Sequence, residues 1–528
     1  MTWHAATVLF GRLALLGGLA AALFLLFLLP HRGWRWVRGP ARRALRHPAL
    51  APAARRLPAV FGFAERHFGG GERSWLRLAL GALFVGAGLR WFARVLAAVL
   101  TDGTVVVADR RLHNTVAAFH SPAMQRSLSL ATDLASAAYV VPLVAAAVVL
   151  FWLGGLRREG LFLCAALAGA GLFAAALKYV VQRPRPVDWY HGYSFPSAHT
   201  LVGTAVYGFL GYLVLRDDPR RPWRLAAVLP LAVLLAAIPL SRIYLGVHWP
   251  YDTVASLALS LAWLAILVAL YKLPPFEERL PAPGVAKPWL RPALAGLAAA
   301  AVAYAALFAA RPPHRKAGPV PRPPSPIAAA ALAAAFPARL EKTSQDLVGG
   351  PMEPIAFVFL GSRPALEQTF ERAGWYLADP PSIRGLAREL AAVVADRPDP
   401  HGPATPAYYQ EEPQDLTFEK PGDASGSIRH RHHIRIWRTG LDAAPGAVPV
   451  WAATSSYDAG VKLVAKPYLV THRIDPRIDR ERELIAGDLL TAGARPLARV
   501  TVTGPTRGKN AGEDSFVTDG VARVLALP

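Results

Sequence analysis

Three short stretches of this chain carry residue types suited to holding an oxyanion and attacking it. They are Lys178 with Arg185-Pro186 beyond it, Pro196-Ser197-Ala198-His199, and Ser241-Arg242 followed by His248 and Asp252. Arg185 and Arg242 can each present two N–H donors to an anion in a fixed fork. Pro184 and Pro186 break a helix and hold Arg183 and Arg185 in a loop. Pro196-Ser197 reads as a helix start, which turns the Ala198 and His199 N–H groups and the Ser197 hydroxyl toward an anion. Lys178 lies inside an apolar run, where a charge is costly and marks function by default. His248 and Asp252 are four apart, so on a helix they share a face. The carboxylate can then fix the imidazole tautomer and leave the other nitrogen free to attack. Each residue alone has a bland reading: a snorkelling lysine, a topology-marking arginine, a structural His–Asp pair. Their order and placement together favour chemistry.

The elements that position these residues are apolar helices. Hydrophobic residues make up 53% of the 528-residue chain and charged residues 18%, in long blocks typical of membrane proteins. Expected spans are Val8–Leu29, Leu76–Leu100, Leu128–Leu153, Leu161–Val181, Thr200–Leu215, Leu225–Ile243, Thr253–Tyr271 and Leu290–Ala310. The first has a weak basic start and no small-residue cleavage site, and reads as a retained helix instead of a signal peptide. Loop 30–75 carries ten arginines; Arg157 and Arg158 follow the third span, and Arg216, Arg220, Arg221 and Arg224 follow the fifth. Basic loops stay cytoplasmic, which puts connections 101–127 and 182–199 outside. All three motifs then reach that outer face. The segment Thr104–Ser121 reads equally as a helix lying in the interface or as a loop.

The net charge of +22 is explained by these loops, with no nucleic-acid motif beside it. Cys164 is the single cysteine, which excludes an internal disulfide and a cysteine-built zinc site. Asp188, Trp189, Tyr190, His191 and Tyr193 between the first two motifs either shape substrate entry or anchor the chain at the interface, and anchoring is the preferred reading.

The ordered motifs resemble the type 2 phosphatidic acid phosphatase superfamily over roughly residues 100–272, with Ala198 where glycine is commonest. The resemblance implies a membrane-embedded helical phosphatase acting on a lipid phosphate or lipid pyrophosphate through a phosphohistidine. It implies His248 as nucleophile, Asp252 as its orienter and His199 as general acid. Lys178, Arg185, Ser197, Ala198 and Arg242 are the implied phosphate-binding set, with no metal and no cofactor. The expected fold is an α-helical membrane bundle, a core six-helix phosphatase unit plus extra spans, followed by an α+β domain. The expected division is 1–100 for anchor helices and a basic loop, 101–272 for the catalytic bundle, 273–326 for a last span and linker, and 327–528 for the terminal domain. A lipid phosphotransferase, or an envelope or secretion scaffold working through the terminal domain, is the alternative. The expected location is a bacterial inner membrane, with the site and the terminal domain on the periplasmic face.

Arg311 to Pro326 is rich in proline and basic residues and reads as a linker. Beyond it, strands are expected at Pro354–Gly361, Ile428–Arg438, Val448–Ser456 and Lys462–Val470. Helices are expected at Leu366–Ala373 and Ile383–Val394, and a long loop over 396–425. Ala373-Gly374-Trp375 and the stretch from Arg431 to Arg438 are similar to the LssY-type C-terminal domain, for which no partner is implied. His430, His432, His472, Asp475 and Asp479 read as a metal or anion site or as a polar strand edge, and the edge is preferred.

Overall fold

The computed structural model describes residues 75–528 apart from 102, 120, 216–221, 273–286, 321–323, 337, parts of 381–396, 424–425 and 464–469. The expected span Val8–Leu29 lies outside the described residues. The described residues divide into two compact units, one built from residues 75–101 and 121–317 and the other from 103–119 and 318–528.

In the first unit the helices are α1 (Trp75–Leu100), α3 (Pro122–Asp133), α4 (Ala137–Leu153), α5 (Arg157–Val181), α6 (Ala198–Leu215), α7 (Pro222–Tyr244), α8 (Pro250–Lys272) and α9 (Leu290–Ala309). α2 (Thr104–Ala118) belongs to the other unit. Among the described residues five helices are long and apolar enough to cross a membrane, and α3 with α4, bent by 45°, makes a sixth. The protein is a multi-pass helical bundle. The expected span over 128–153 is this bent pair, and Ser121 caps its start by accepting from the Met124 N–H.

α5, α6, α7 and α8 form the buried centre, with Leu163, Ala166, Ala170, Leu201, Ala205, Phe209, Ile238, Leu264 and Val268 packed together. Small residues set the approach, because lipid offers no hydrophobic drive to push helices together. A Cβ at Gly169 would meet the Trp263 ring at 2.4 Å, and one at Gly208 would meet Leu264 at 2.5 Å. Arg158 departs from its expected role as a solvated loop cation. It is buried at the start of α5, its guanidinium stacked on the Tyr271 ring at 4.5 Å, beside Glu159, which accepts from the Tyr271 hydroxyl at 2.9 Å.

The second unit is α+β. Its strands are β1 (Ser325–Ala328), β2 (Thr343–Gln345), β3 (Pro351–Pro354), β4 (Phe357–Leu360), β5 (Tyr376–Leu377), β6 (Tyr408–Tyr409), β7 (Glu412–Pro413), β8 (Leu416–Pro421), β9 (His430–Ala444), β10 (Val448–Leu463), β11 (Val470–Ile474), β12 (Arg495–Thr501), β13 (Thr506–Lys509), β14 (Ser515–Thr518) and β15 (Val521–Ala526). The main sheet runs β12-β15-β4-β10-β9-β8-β5, with β1 beside β9 and β11 beside β10. Its helices are α10 (Arg363–Arg372) and α11 (Ile478–Thr491). The alternating pattern of β9 puts Ile434 and Ile436 into one apolar core and Trp437 into the other.

Two expectations are corrected here. The stretch 396–425 is not one long loop, since Leu416-Thr417-Phe418-Glu419 alternates apolar and polar residues and pairs antiparallel with β9 from Leu416↔Ile436 onward. Of the two readings of 104–121, the helical one holds over Thr104–Ala118, and the correction is to where it packs, because its partners lie in the sheet unit. Buried Arg111 donates to the Asp346 carbonyl and the Gln345 side chain, and the Thr115 hydroxyl meets the Tyr408 hydroxyl at 2.8 Å. The expected helix 383–394 and strand 462–470 fall largely outside the described residues.

Candidate active site

The motifs meet where α5 ends, α6 begins, and α7 hands over to α8. α5 closes on Gln182 in the left-handed conformation, φ 49°, which turns the chain out into the proline-broken loop carrying Arg183 and Arg185. Lys178, in the last turn of α5, donates to the Tyr193 carbonyl across that loop. Arg185 is fixed at both ends of its fork: Nε donates to the Gly192 carbonyl at 2.9 Å and Nη1 to the Val247 carbonyl at 2.7 Å. The same Nη1 lies 3.2 Å from His248 Nε2.

Arg242, buried in the last turn of α7, donates to Thr132 Oγ1 at 2.5 Å and reaches the Tyr190 hydroxyl at 3.5 Å. Tyr190 lies between the two arginines, with the Arg185 guanidinium over its ring at 4.4 Å and that of Arg242 at 5.6 Å. Tyr190 is thus part of the site, where the sequence favoured simple anchoring. None of Lys178, Arg185 and Arg242 is ion-paired with a carboxylate among the described residues.

His248 is 2% exposed, in the turn between α7 and α8. Its Nδ1 faces Asp252 Oδ2 at 3.5 Å, too long for a firm hydrogen bond but the right side of the ring. Asp252 is fully buried and anchored elsewhere: Arg183 Nη1 donates to Oδ1 at 2.6 Å, and the Trp249 N–H donates to Oδ2 at 3.1 Å. Burial, and then the fields of Arg242 and Arg185, hold His248 well below the ordinary imidazole range, so it is neutral near pH 7.

At the start of α6 the Ser197 N–H donates to Ser256 Oγ at 2.8 Å, which ties the second motif to α8. The Ser197 hydroxyl oxygen accepts from the Thr200 hydroxyl at 3.1 Å and from the Thr200 N–H at 3.5 Å, which caps α6 and leaves the Ser197 proton to donate. The N–H groups of Ala198 and His199 belong to the first turn, which has no intrahelical acceptors for them. His199 is half-buried, in electrostatic reach of Arg242, His248 and Arg185.

All eight expected site residues therefore lie at one end of the bundle. Reasoning from sequence missed Thr132 and Ser256, which only the fold brings in; it placed Arg183 in the loop with Arg185 without giving it a role, and weighed Tyr190 as an entry residue but preferred anchoring. Among the described residues, the histidines and acids singled out in the second unit form no metal-binding group of three or more. His432 Nδ1 pairs with Glu481 at 2.8 Å, Asp479 receives Arg482 at 3.1 Å, and Asp475 receives Arg477 at 3.3 Å. The side chain of His472 is outside the described set.

A site of partly and fully buried cations converging at the ends of apolar helices is chemically suited to holding an anion. Residues 159–274 match the PAP2 superfamily, and residues 337–521 match the family described as LssY C-terminus. The chain is similar to phosphatidylglycerophosphatase B of Bacillus subtilis, 25% identical over 175 residues, which cover 32% of this chain and 86% of that protein. It is also similar to decaprenylphosphoryl-5-phosphoribose phosphatase of Mycobacterium tuberculosis, 38% identical over 117 residues, which cover 20% of this chain and 56% of the relative. The crystal structure of a transmembrane PAP2 type phosphatidylglycerolphosphate phosphatase from Bacillus subtilis aligns with TM-score 0.33 and 21% identity, over 37% of this chain and 96% of that one.

Proposed function

We propose that the protein is an integral-membrane phosphatase that hydrolyses a lipid phosphate or lipid diphosphate through a phosphohistidine at His248. The observation that carries this reading is the orientation of the His248 ring, with Nε2 beside Arg185 and Nδ1 toward Asp252. A guanidinium has only donors, so Nε2 is the acceptor, its lone pair points at the cations, and Nδ1 carries the proton. The Nε2 lone pair attacks phosphorus. The bond from phosphorus to the lipid oxygen breaks, and His199 gives that oxygen a proton. Water then attacks the phosphohistidine, His199 takes the water proton, and the N–P bond opens to release inorganic phosphate. Lys178, Arg185, Arg242 and the first N–H groups of α6 hold the equatorial oxygens while charge builds on them.

The cation set supplies the positive charge that phosphoryl transfer requires, so the reaction is expected to proceed in EDTA. The relatives named as phosphatases of lipid-linked phosphates support the substrate class. For orientation, the arginine-rich loops favour a bacterial inner membrane with the 101–127 and 182–199 connections outside. α2 is an element of the sheet unit and lies in the first of those connections, which favours the same periplasmic side for the terminal domain.

The test uses the full chain in detergent with a panel of lipid phosphates. His248→Ala is expected to lower phosphate release by on the order of 10⁴-fold. Retention of a tenth of the activity, or its loss on adding EDTA to the unsubstituted protein, would sink the reading. Product analysis separates hydrolysis from transfer to a second lipid, and a reporter fused after Pro326 reads the side of the terminal domain.

A further inference from the structure

The basic stretch after α9 is a strap. Residues 311–317 run from the end of α9 along α3 to the turn that carries His248. The Arg311 guanidinium stacks on Phe308 at 4.2 Å. The Gln125 side chain donates to the His314 carbonyl at 2.9 Å, and the His314 N–H donates to Ser129 Oγ at 2.9 Å. His314 Nε2 meets Asp133 Oδ1 at 2.8 Å. Farther on, Arg315 lies over the Trp189 ring at 4.9 Å and Lys316 over the Tyr244 ring at 5.0 Å, and the Ala317 N–H donates to the Leu245 carbonyl at 3.0 Å.

Three of these anchor points are neighbours of the cation cluster, in space or along the chain. Asp133 follows Thr132, the acceptor for Arg242. Trp189 packs edge-on against Tyr190, the ring between Arg185 and Arg242. Tyr244 and Leu245 lie between Arg242 and His248 in the chain. The strap therefore adds two cations, Arg315 and Lys316, at the rim of a site that already has three. Three cations suffice for one phosphoryl group; a rim pair suits a second anionic group joined to the first.

Resting on the phosphatase reading, we propose that Arg315 and Lys316 form a second anion subsite, which takes the inner phosphate of a lipid diphosphate and makes diphosphates the preferred substrates. His248 attacks the terminal phosphorus, the bond from that phosphorus to the bridging oxygen breaks, and the electron pair leaves on the lipid monophosphate. The rim cations meet the charge that develops on this leaving group, which a lipid monophosphate would not place there. Lys316 is half-buried, and burial pulls it down to about 8, so it keeps its proton at neutral pH.

The test compares farnesyl diphosphate with farnesyl monophosphate, one tail with two headgroups, on the full chain in detergent. The double substitution Arg315→Ala with Lys316→Ala is expected to lower kcat/KM for the diphosphate by roughly 10- to 100-fold. For the monophosphate the change should stay within about threefold, the size of a lost peripheral contact. The charge-retaining pair Arg315→Lys with Lys316→Arg should restore most of the diphosphate activity. An equal fall on both substrates, no fall on the diphosphate, or an original preference for the monophosphate overturns the proposal. A second measurement is independent of turnover: inorganic pyrophosphate should bind the His248→Ala protein more tightly than inorganic phosphate, and the strap substitutions should abolish that difference. If binding discriminates while neither lipid is cleaved, the subsite stands and the phosphatase reading falls; if binding does not discriminate, the subsite falls.

Discussion

The two units each bury a cluster of charge, and the clusters are built on opposite plans. In the sheet unit, Arg431 on β9 donates to Glu419 on β8 at 2.6 Å and to Asp458 on β10 at 3.0 Å. His433 sets Nδ1 against Asp458 at 3.2 Å, and its Nε2 takes Ser456 Oγ at 2.8 Å and Arg435 at 3.0 Å. Acids and bases alternate across three neighbouring strands. In the membrane unit, Lys178, Arg185 and Arg242 converge with carbonyls, hydroxyls and one aromatic ring as partners, and the nearby carboxylate of Asp252 is taken by Arg183. Desolvated charge is costly unless it is compensated. The first cluster is compensated by its own residues; the second has no carboxylate ion pair on its three cations among the described residues, and the proposed function assigns that part to the substrate phosphate.

The same contrast disposes of a tempting triad. Ser456, His433 and Asp458 have the residue types of a hydrolytic site and nearly its distances. Yet Arg435 donates to the same ring nitrogen that a serine proton would need, Arg431 occupies the other side of Asp458, and Ser456 is 1% exposed. This cluster cross-links the sheet. The expected consequence is a loss of stability and not of chemistry. Arg431→Met strands Glu419 and Asp458 and should destabilise the sheet unit by roughly 3–5 kcal/mol. Phosphate release per folded molecule should be unchanged, as read by denaturant unfolding of the full chain alongside turnover. A fall in turnover with unchanged stability would break the comparison.

The mirror substitution is Arg242→Met. It removes a buried cation that has no carboxylate ion pair among the described residues and only the field of Asp133 to offset it, so stability should hold or rise, while phosphate release falls by roughly 10²- to 10³-fold. Thermal unfolding and single-turnover phosphate release on the same preparation give both numbers. A protein that loses stability and keeps its turnover would place Arg242 with the structural cations.

Sequence made the second cluster legible and left the first hidden, for a physical reason. His248 and Asp252, or Pro196 to His199, are held at short spacings because one helix start must present them together. Lys178, Arg185 and Arg242 were visible because a charge beside an apolar span is anomalous. Their partners carried no such mark: Thr132 stands 110 residues before Arg242 and looks like any helix-end threonine. Tyr190 looked like an interface anchor until the fold put it between two guanidinium groups. In the sheet unit, Glu419 and Asp458 look like ordinary strand acids, and only the register of β8, β9 and β10 brings them onto Arg431. α2 was ambiguous for the same reason. Its apolar face is weak, and its partners Gln345, Asp346 and Tyr408 lie more than 200 residues away.

The smallest effect probes that last contact. Asp346 accepts from the Val348 and Gly350 N–H groups at 3.0 and 2.8 Å, while its carbonyl takes the Arg111 guanidinium of α2. Burial raises the Asp346 carboxyl to about 6 from 3.8, against the opposing pull of those N–H groups and of Arg111. A raised carboxyl binds its proton more tightly when folded. Its contribution to stability is therefore fully present below pH 3.8 and is lost as pH rises through about 6. Asp475, Glu483 and Asp519 are shifted the other way, and their contributions fade only at pH values below their ordinary carboxylate range. Lowering pH from 7 to 5 should thus strengthen the turn after β2 and the docking of α2 by about 1 kcal/mol. Asp346→Asn should remove that pH response while leaving the site chemistry untouched. Amide exchange across residues 104–118 and 343–354, corrected for intrinsic rates, measures the difference between the two proteins. The same pH response in both would mean that α2 is held by Thr115 and Tyr408 and not through Asp346. A response of opposite sign would mean that the Asp346 carboxylate is ionised in the folded unit and that Arg111, not burial, sets its charge.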